Sequence, residues 1–319
     1  MMIMRSQKIS SQHPPYFVEI VDIAIKARKA LLIGIGGGGD VISTIYVRKF
    51  LEKFDVECVL GGVVWERYRR DKKPGPRSLE EIGADKVFET LGFVDGSERI
   101  RGIQLIVSQV AEFLNEKIVA VDISKGVVKL RDDLKNFVER ERFDLVFGVD
   151  AGGDSLARGF EANLVSPLAD SIMLSALKDL NSILAVVGFG SDCELTREQL
   201  ERYLSELSGE ILGVSMVTND EKLFEFVKNV ESEASRIPIL AARGYYGDYY
   251  FWGEVKTRIS ILNSLIFYLR LEPVFERSKT AKAVANAKSF EEAHKILKEM
   301  GIRTEYDLEL ELAKKENLR

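Results

Sequence analysis

The chain reads as an α/β protein: a doubly wound, mostly parallel Rossmann-like sheet with a helical C-terminal appendage. Three observations predict this. Continuous apolar, partly β-branched runs recur at Leu31–Ile35, Val56–Val64, Ile118–Asp122, Asp144–Asp150 and Ile183–Val187, the pattern of strands buried on both faces. Amphipathic helical stretches lie between them, as crossover connections require. Three of the runs leave through glycines into an aspartate: LLIGIGGGGDVIS at Asp40, LVFGVDAGGDSLA at Asp154 and LAVVGFGSDCELT at Asp192. In a doubly wound sheet such exits share one edge, so Asp40, Asp150, Asp154 and Asp192 can converge although distant in sequence.

The first of these exits is the candidate centre. Gly34, Gly36, Gly37, Gly38 and Gly39 end an apolar strand, and Val41, Ile45 and Phe50 recur behind them at helical spacing. Backbone N–H groups in a strand-to-helix turn without Cβ atoms can approach an anion, most often a phosphate, and the following helix adds unpaired donors and a positive dipole end. Gly34, Gly36 and Gly39 also satisfy G-x-G-x-x-G, but four adjacent glycines fit several templates. The acid expected at the second strand tip for a ribose is absent, since Val59, Leu60, Gly61 and Gly62 stand there, and Glu66 is the nearest acid. A basic surrounding would suit a 2′-phosphate instead. No G-K-[ST] follows, so a Walker motif fails. Tight strand–helix packing alone would need only one or two glycines.

Composition narrows the chemistry. At 319 residues, with 46% apolar and 30% charged residues, the chain can bury a large core. A net charge of −5 speaks against a nucleic-acid partner. Cys58 and Cys193 allow neither a disulfide framework nor a thiolate cluster, and His13 and His294 are the only histidines. Histidine catalysis and histidine–zinc sites are therefore disfavoured, and any metal is expected on oxygen: magnesium, manganese or calcium. No stretch reads as a signal peptide or membrane span, so a cytoplasmic protein without a membrane partner is expected. Abundant Glu, Lys and Arg resemble thermophile composition.

The remaining elements follow in order. Tyr16–Lys29 reads as an opening amphipathic helix. Trp65–Leu79, WERYRRDKKPGPRSL, is too charged for core; it is either a solvated loop or a cover over the glycine turn in which Arg67, Arg69 and Arg77 clamp an anion. Val87–Phe93 suggests an extra strand or hairpin, Gly102–Leu114 and Asp132–Arg140 helices. After Asp144–Asp150, the pair Asp150 and Asp154 flanks Gly152 and Gly153 and is the least readily assigned to helix capping. Pro167–Leu180 reads as a helix. Thr196 and Gln199 form a capping box for Arg197–Leu207, leaving Asp192 free of that duty. Ile211–Val217 is an expected strand, Glu221–Val230 a helix, Pro238–Ala242 a last strand. Its exit holds dense aromatics from Tyr245 to Trp252, suited to a core or subunit interface, or to stacking on a ring. Thr257–Leu271 is expected to be an apolar helix, buried or shared with a partner copy. Capping boxes at Ser289/Glu292 and Thr304/Asp307 mark two tail helices joined at Gly301. Residues 1–278 would form the Rossmann-like unit and 279–319 the appendage.

The combination of GIGGGGDVIST, WER with PGPR, and GVDAGGDSL resembles a largely archaeal family catalogued as the domain of unknown function eleven-fifty-two. The resemblance spans most of the chain and implies that these glycine–aspartate loops belong together; it implies no activity and no catalytic residue.

The residues point first to a divalent-metal-dependent enzyme acting on a phosphorylated small molecule or nucleotide, by phosphoryl transfer or phosphate-ester hydrolysis. The glycine turn, Gly152 and Gly153 would hold phosphate, Asp40, Asp150, Asp154 and Asp192 magnesium or manganese, with Asp150 or Asp154 as base. The alternatives are an oxidoreductase or sensor binding NADP or an adenine nucleotide, and a non-catalytic structural or regulatory oligomer. A homo-oligomer is expected in each case.

Overall fold

The computed structural model describes residues 19–251 and 255–318. The N-terminal arm with His13, and Trp252 of the aromatic stretch, lie outside them. The strands in chain order are β1 (Lys29–Gly34), β2 (Glu57–Val63), β3 (Asp85–Lys86), β4 (Leu91–Val94), β5 (Arg99–Ile100), β6 (Ile103–Gln104), β7 (Ile118–Val121), β8 (Leu145–Ala151), β9 (Ile183–Val187), β10 (Ile211–Met216), β11 (Gly247–Phe251), β12 (Val255–Ile259) and β13 (Leu265–Arg270). Nine of them form one sheet in the order β10-β13-β9-β8-β1-β2-β7-β4-β3. The five central strands, β9-β8-β1-β2-β7, are parallel. Antiparallel strands close both flanks, β13 and β10 on one side, β4 and β3 on the other.

Period-2 alternation divides the core into two layers, as a sheet covered on both faces requires. Leu31, Ile33, Val119, Val121, Leu184 and Val186 face one cluster, whereas Ala30, Leu32, Ala120, Ala185 and Val187 face the other. The second layer is covered by α1 (Glu19–Lys26), α2 (Asp40–Leu51) and α4 (Ile106–Leu114), which follows the single turn α3 (Leu79–Ile82). The first is covered by α5 (Gly126–Glu141) and α6 (Pro167–Leu177), beside α7 (Arg197–Glu206). Beyond α8 (Glu221–Asn229) and α9 (Glu233–Ala242) come the C-terminal helices α10 (Leu271–Arg277), α11 (Lys279–Val284), α12 (Phe290–Glu299) and α13 (Glu305–Asn317). Val284, Phe290 and Leu297 of this tail sit in the same cluster as α5 and α6. The C-terminal helices thus pack against the core layer that α5 and α6 cover.

Two expected elements change type. Pro238–Ala242 belongs to helix α9, with Pro238 inside it, because Ile237 and Ala241 recur at helical spacing and pack on Ile259. Residues 257–271 do not form an apolar helix: Ser260 caps a short 3-10 turn at Ile261–Ser264, and Leu265–Arg270 then enters the sheet as β13. Strand alternation buries Ile266 and Tyr268 on one face and Leu269 on the other. Pro273 lies in the first turn of α10 instead of ending a helix. The apolar helix that suggested self-association is therefore absent. Gly102–Leu114 narrows to α4, preceded by the small β5–β6 hairpin. No helix among the described residues is long and apolar enough to cross a membrane.

Candidate functional site

In the order β7-β2-β1-β8-β9, successive connections run outward in opposite directions from β1 and β8. At such a switch point the chain parts and leaves a crevice at the carboxyl ends of the strands. The glycine turn after β1 and the Asp150–Asp154 loop after β8 meet there, and a cavity of about 430 Å³ opens between them.

Beneath it three carboxylates converge. Asp40 at the start of α2, Asp150 at the end of β8 and Asp170 in the first turn of α6 each offer an oxygen, and these oxygens lie within 4.8 Å of one another. Asp150 and Asp170 are 1% and 5% exposed. Oδ1 of each is buried without a hydrogen-bond partner among the described residues. Asp150 Oδ2 accepts from the Ser155 hydroxyl, and Asp40 Oδ2 accepts from the Gly36 N–H at 2.9 Å. Burial, then the charge of Asp154, pushes Asp40 up to about 7; burial, then Asp40, pushes Asp150 up to about 7. Asp170 is held well above the usual carboxylate range by burial, then by Asp154, Asp150 and Asp40. Such groups resist ionising together unless a cation sits among them.

Asp154 and Asp192 line the cavity but stand outside this trio. Asp192 braces the loop: its Oδ2 accepts from the Asp154 N–H at 3.1 Å and its Oδ1 from the Glu194 N–H at 3.3 Å. Burial, then Asp154, holds it well above its ordinary value. Asp154 Oδ2 accepts from the Ser166 hydroxyl at 3.2 Å, and burial, then Asp150, pushes it up to about 8. Glu194 accepts from the N–H groups of Val165 and Ser166 at 2.7 and 3.0 Å.

The glycines have steric reasons that sequence did not show. A Cβ on Gly34 would meet Asp40 backbone at 2.5 Å, one on Gly36 Asp40 Oδ2 at 2.7 Å, one on Gly39 the Ser232 hydroxyl at 1.7 Å and one on Gly152 the Asp192 carboxyl at 2.2 Å. Packing accounts for glycine at these four positions; at Gly37 and Gly38 the nearest atoms lie at 3.3 and 3.5 Å, and Gly38 has φ +80°. Gly34, Gly152 and Gly153 do not line the cavity, and Gly152 spends its N–H on Val187 and its carbonyl on Gly190. Gly36, Gly37, Gly38 and Gly39 do line it; the Gly36 N–H is spent on Asp40, and the other three lie at the N-terminus of α2, where N–H groups lack intrahelical partners.

The basic segment is no open loop. Trp65, Glu66, Asp71 and Arg77 are buried. Arg77 is 0% exposed, donates to Asp71 and to the carbonyl of Pro76, and does not line the cavity, so it is spent on folding the loop and cannot clamp a ligand. Glu66 accepts from the Ile106 N–H at 2.6 Å and pairs with Arg70, which commits the acid nearest a ribose position. Arg67 and Arg69 line the cavity. Arg67 Nη1 is buried without a hydrogen-bond partner among the described residues. Burial alone would pull its guanidinium down; Glu305, Glu309, Glu194 and Asp40 more than offset this and hold it up.

Asp170, Glu305 and Glu309 were not anticipated. Asp170 follows no glycine-rich strand exit. It is, however, the lone acid of PLADSIMLSAL, a helix in which all positions are buried, and an acid there needs a partner. Glu305 accepts from the N–H groups of Leu168 and Ala169 at 3.1 and 2.9 Å, capping α6. Glu309 accepts from Trp65 Nε1 at 3.0 Å, Tyr68 N–H at 3.2 Å and Gly75 N–H at 2.8 Å. The tail helix α13 therefore forms a wall of the site.

No curated protein and no solved structure matches the chain. A family described only as protein of unknown function (DUF1152) matches residues 31–313, which take in every element of the site, and the chain belongs to that family.

Proposed function

We propose that the protein is a divalent-cation-dependent enzyme acting on a phosphorylated small molecule, by phosphoryl transfer or phosphate-ester hydrolysis. One observation carries the reading. Asp40, Asp150 and Asp170 bring carboxylate oxygens within 4.8 Å of one another at the switch point, and two of those residues keep an oxygen unpartnered. Three carboxylates, Asp150 and Asp170 buried and Asp40 half-buried, leaving room for water match the oxygen-rich, partly hydrated coordination that magnesium and manganese prefer. A cation there would offset charge developing on a transferring phosphoryl group. The chain's own groups supply the rest. The N–H groups at Gly37 to Gly39 and the Arg67 guanidinium face the same space and suit phosphate oxygens. Asp154, in the cavity wall with Oδ2 on the Ser166 hydroxyl, is placed to hold or take a proton at that oxygen.

The test is a thermal-shift and calorimetric titration with magnesium and manganese, alone and with pyrophosphate, ADP or NADP. Saturation at about 100 times Kd should add about 2.7 kcal/mol of stability, chelator should reverse it, and Asp170→Asn should abolish it. The absence of a shift with any divalent ion would overturn the proposal. A shift with NADP that ignores chelator would favour dinucleotide binding instead.

A further inference from the structure

The cavity has walls that phosphate chemistry does not use. Beside the buried aspartates the lining also carries an aliphatic wall, Val165, Val255, Leu308 and Leu312, with Ile106 deeper in, while Arg69 and Glu231 share the exposed rim. Val165, Val255 and Leu312 are 37%, 49% and 44% exposed, so this lining faces solvent at the mouth, whereas Asp154 and Asp170 at the floor are 8% and 5% exposed. The leucines are placed there by the periodicity of α13. Glu305, Leu308, Glu309 and Leu312 fall at i, i+3, i+4 and i+7, one helical face. The two glutamates fasten that face to Ala169 and Trp65, which turns the leucines toward the cavity.

A nucleobase would ask for other walls. It stacks on an exposed aromatic ring and pairs its edge with polar groups. Among the described residues the aromatic side chain in the lining is Tyr68, which is 5% exposed and gives its hydroxyl to Glu316 at 3.0 Å. Branched aliphatic side chains recognise by excluding water from a chain of methylenes, without direction.

From this pairing of a carboxylate floor with an aliphatic wall we infer that the ligand is amphiphilic: a phosphate or diphosphate carried on an aliphatic chain, alkyl or isoprenoid, with the head at Gly37 to Gly39 and Arg67 beside the aspartates and the chain along Val165, Leu308 and Leu312. The inference rests on the phosphate reading above and adds the class of the group that bears the phosphate. Each methylene withdrawn from water multiplies affinity by about four, so burying four should give on the order of a hundredfold.

Calorimetry on the full chain saturated with magnesium tests it, using methyl phosphate, n-decyl phosphate below its micelle concentration, and AMP. Decyl phosphate should bind on the order of a hundredfold tighter than methyl phosphate and tighter than AMP. Leu312→Gln, at a half-exposed helix position that tolerates a polar side chain, should narrow the decyl-to-methyl ratio severalfold, with folding confirmed by an unshifted melting curve. Equal affinity for decyl and methyl phosphate would overturn the inference and leave the phosphate site standing. So would tighter binding of AMP, or a ratio that Leu312→Gln does not change, which would mark adsorption elsewhere. Failure of all three ligands to bind would withdraw both the inference and the reading beneath it.

Discussion

Glu305 and Glu309 on one side of the cavity, and Asp150 and Asp170 on the other, are carboxylates of equal seclusion, at 4%, 4%, 1% and 5% exposure. Their surroundings differ. Between them the glutamates accept from Leu168, Ala169, Trp65, Tyr68 and Gly75. Each aspartate keeps an oxygen that accepts nothing, and its nearest charges are other acids. A buried carboxylate that collects N–H donors holds the fold together; one aimed at its own kind holds it apart until a cation or proton arrives. At separations below 4.8 Å, two charges repel by about 3 kcal/mol or more at an effective dielectric of about 20. Burial is therefore no guide to role, and the donor count is.

The sharpest way to break this contrast is to cut one member of each set. Glu309→Ala strands an indole N–H and two backbone N–H groups in the interior, so stability in urea should fall by about 3 kcal/mol or more. A loss below about 1 kcal/mol would mean water replaces the carboxylate, and the contrast would fail. Asp150→Asn should act in the opposite sense. In chelator at pH 8 it removes a repelling charge while keeping an acceptor for Ser155, so stability should rise by on the order of 1 kcal/mol, and the response to magnesium should vanish.

The pH dependence follows with the same sign. Asp40 and Asp150 are pushed up to about 7 and Asp154 to about 8, by burial first and neighbouring carboxylates second. A carboxyl whose folded value lies above its unfolded one binds its proton better when folded. Its contribution is fully present below the unfolded value near 4 and is lost as pH rises to about 7 to 8. Metal-free protein should therefore lose stability across that window, Asp150→Asn should flatten the slope, and magnesium should restore the wild type at pH 8. Urea titrations at pH 5, 6.5 and 8 measure all three. A slope that Asp150→Asn leaves untouched would place the effect elsewhere.

Legibility in the sequence divides along similar physical lines. The central strands were readable because runs such as LLIGI and LVFGV are apolar on both faces, and the convergence of Asp40, Asp150, Asp154 and Asp192 at one sheet edge followed from handed, parallel crossovers. IPILAA and SLIFYLR were misread because short apolar runs carry no period that separates helix from strand. In α9 two positions at helical spacing decided against the proline, and in the other segment pairing with β9 and β10 decided for strand. Glycine count misled in the other direction. Gly34, Gly36, Gly39 and Gly152 answer to contacts with Asp40, Ser232 and Asp192, partners that only the folded chain brings near. Glu305 and Glu309 were hidden because EYDLELELAKK reads as an ordinary solvated helix until its partners, some 140 and 240 residues earlier, are known.

The smallest effect concerns Thr196, which the sequence marks as a helix cap and the structure confirms. Its side chain accepts from the Gln199 N–H at 3.1 Å while Gln199 Oε1 accepts from the Thr196 N–H at 2.8 Å. Four residues earlier, Asp192 is thereby released from capping α7, and its oxygens go instead to the N–H groups of Asp154 and Glu194. If the two duties are separate, Thr196→Ala should cost about 1 kcal/mol of stability, as a lost cap does, and leave the midpoint of the magnesium titration where it was. Asp192→Ala should reverse that pattern, weakening magnesium binding by loosening the loop that follows Asp150, with its stability cost reduced by the like charge it removes. The pair of variants read in urea and in a magnesium titration decides the matter. A magnesium midpoint that moves as far in Thr196→Ala as in Asp192→Ala would show that α7 and the aspartate loop order as one unit, and that capping and ligand binding in this wall cannot be separated.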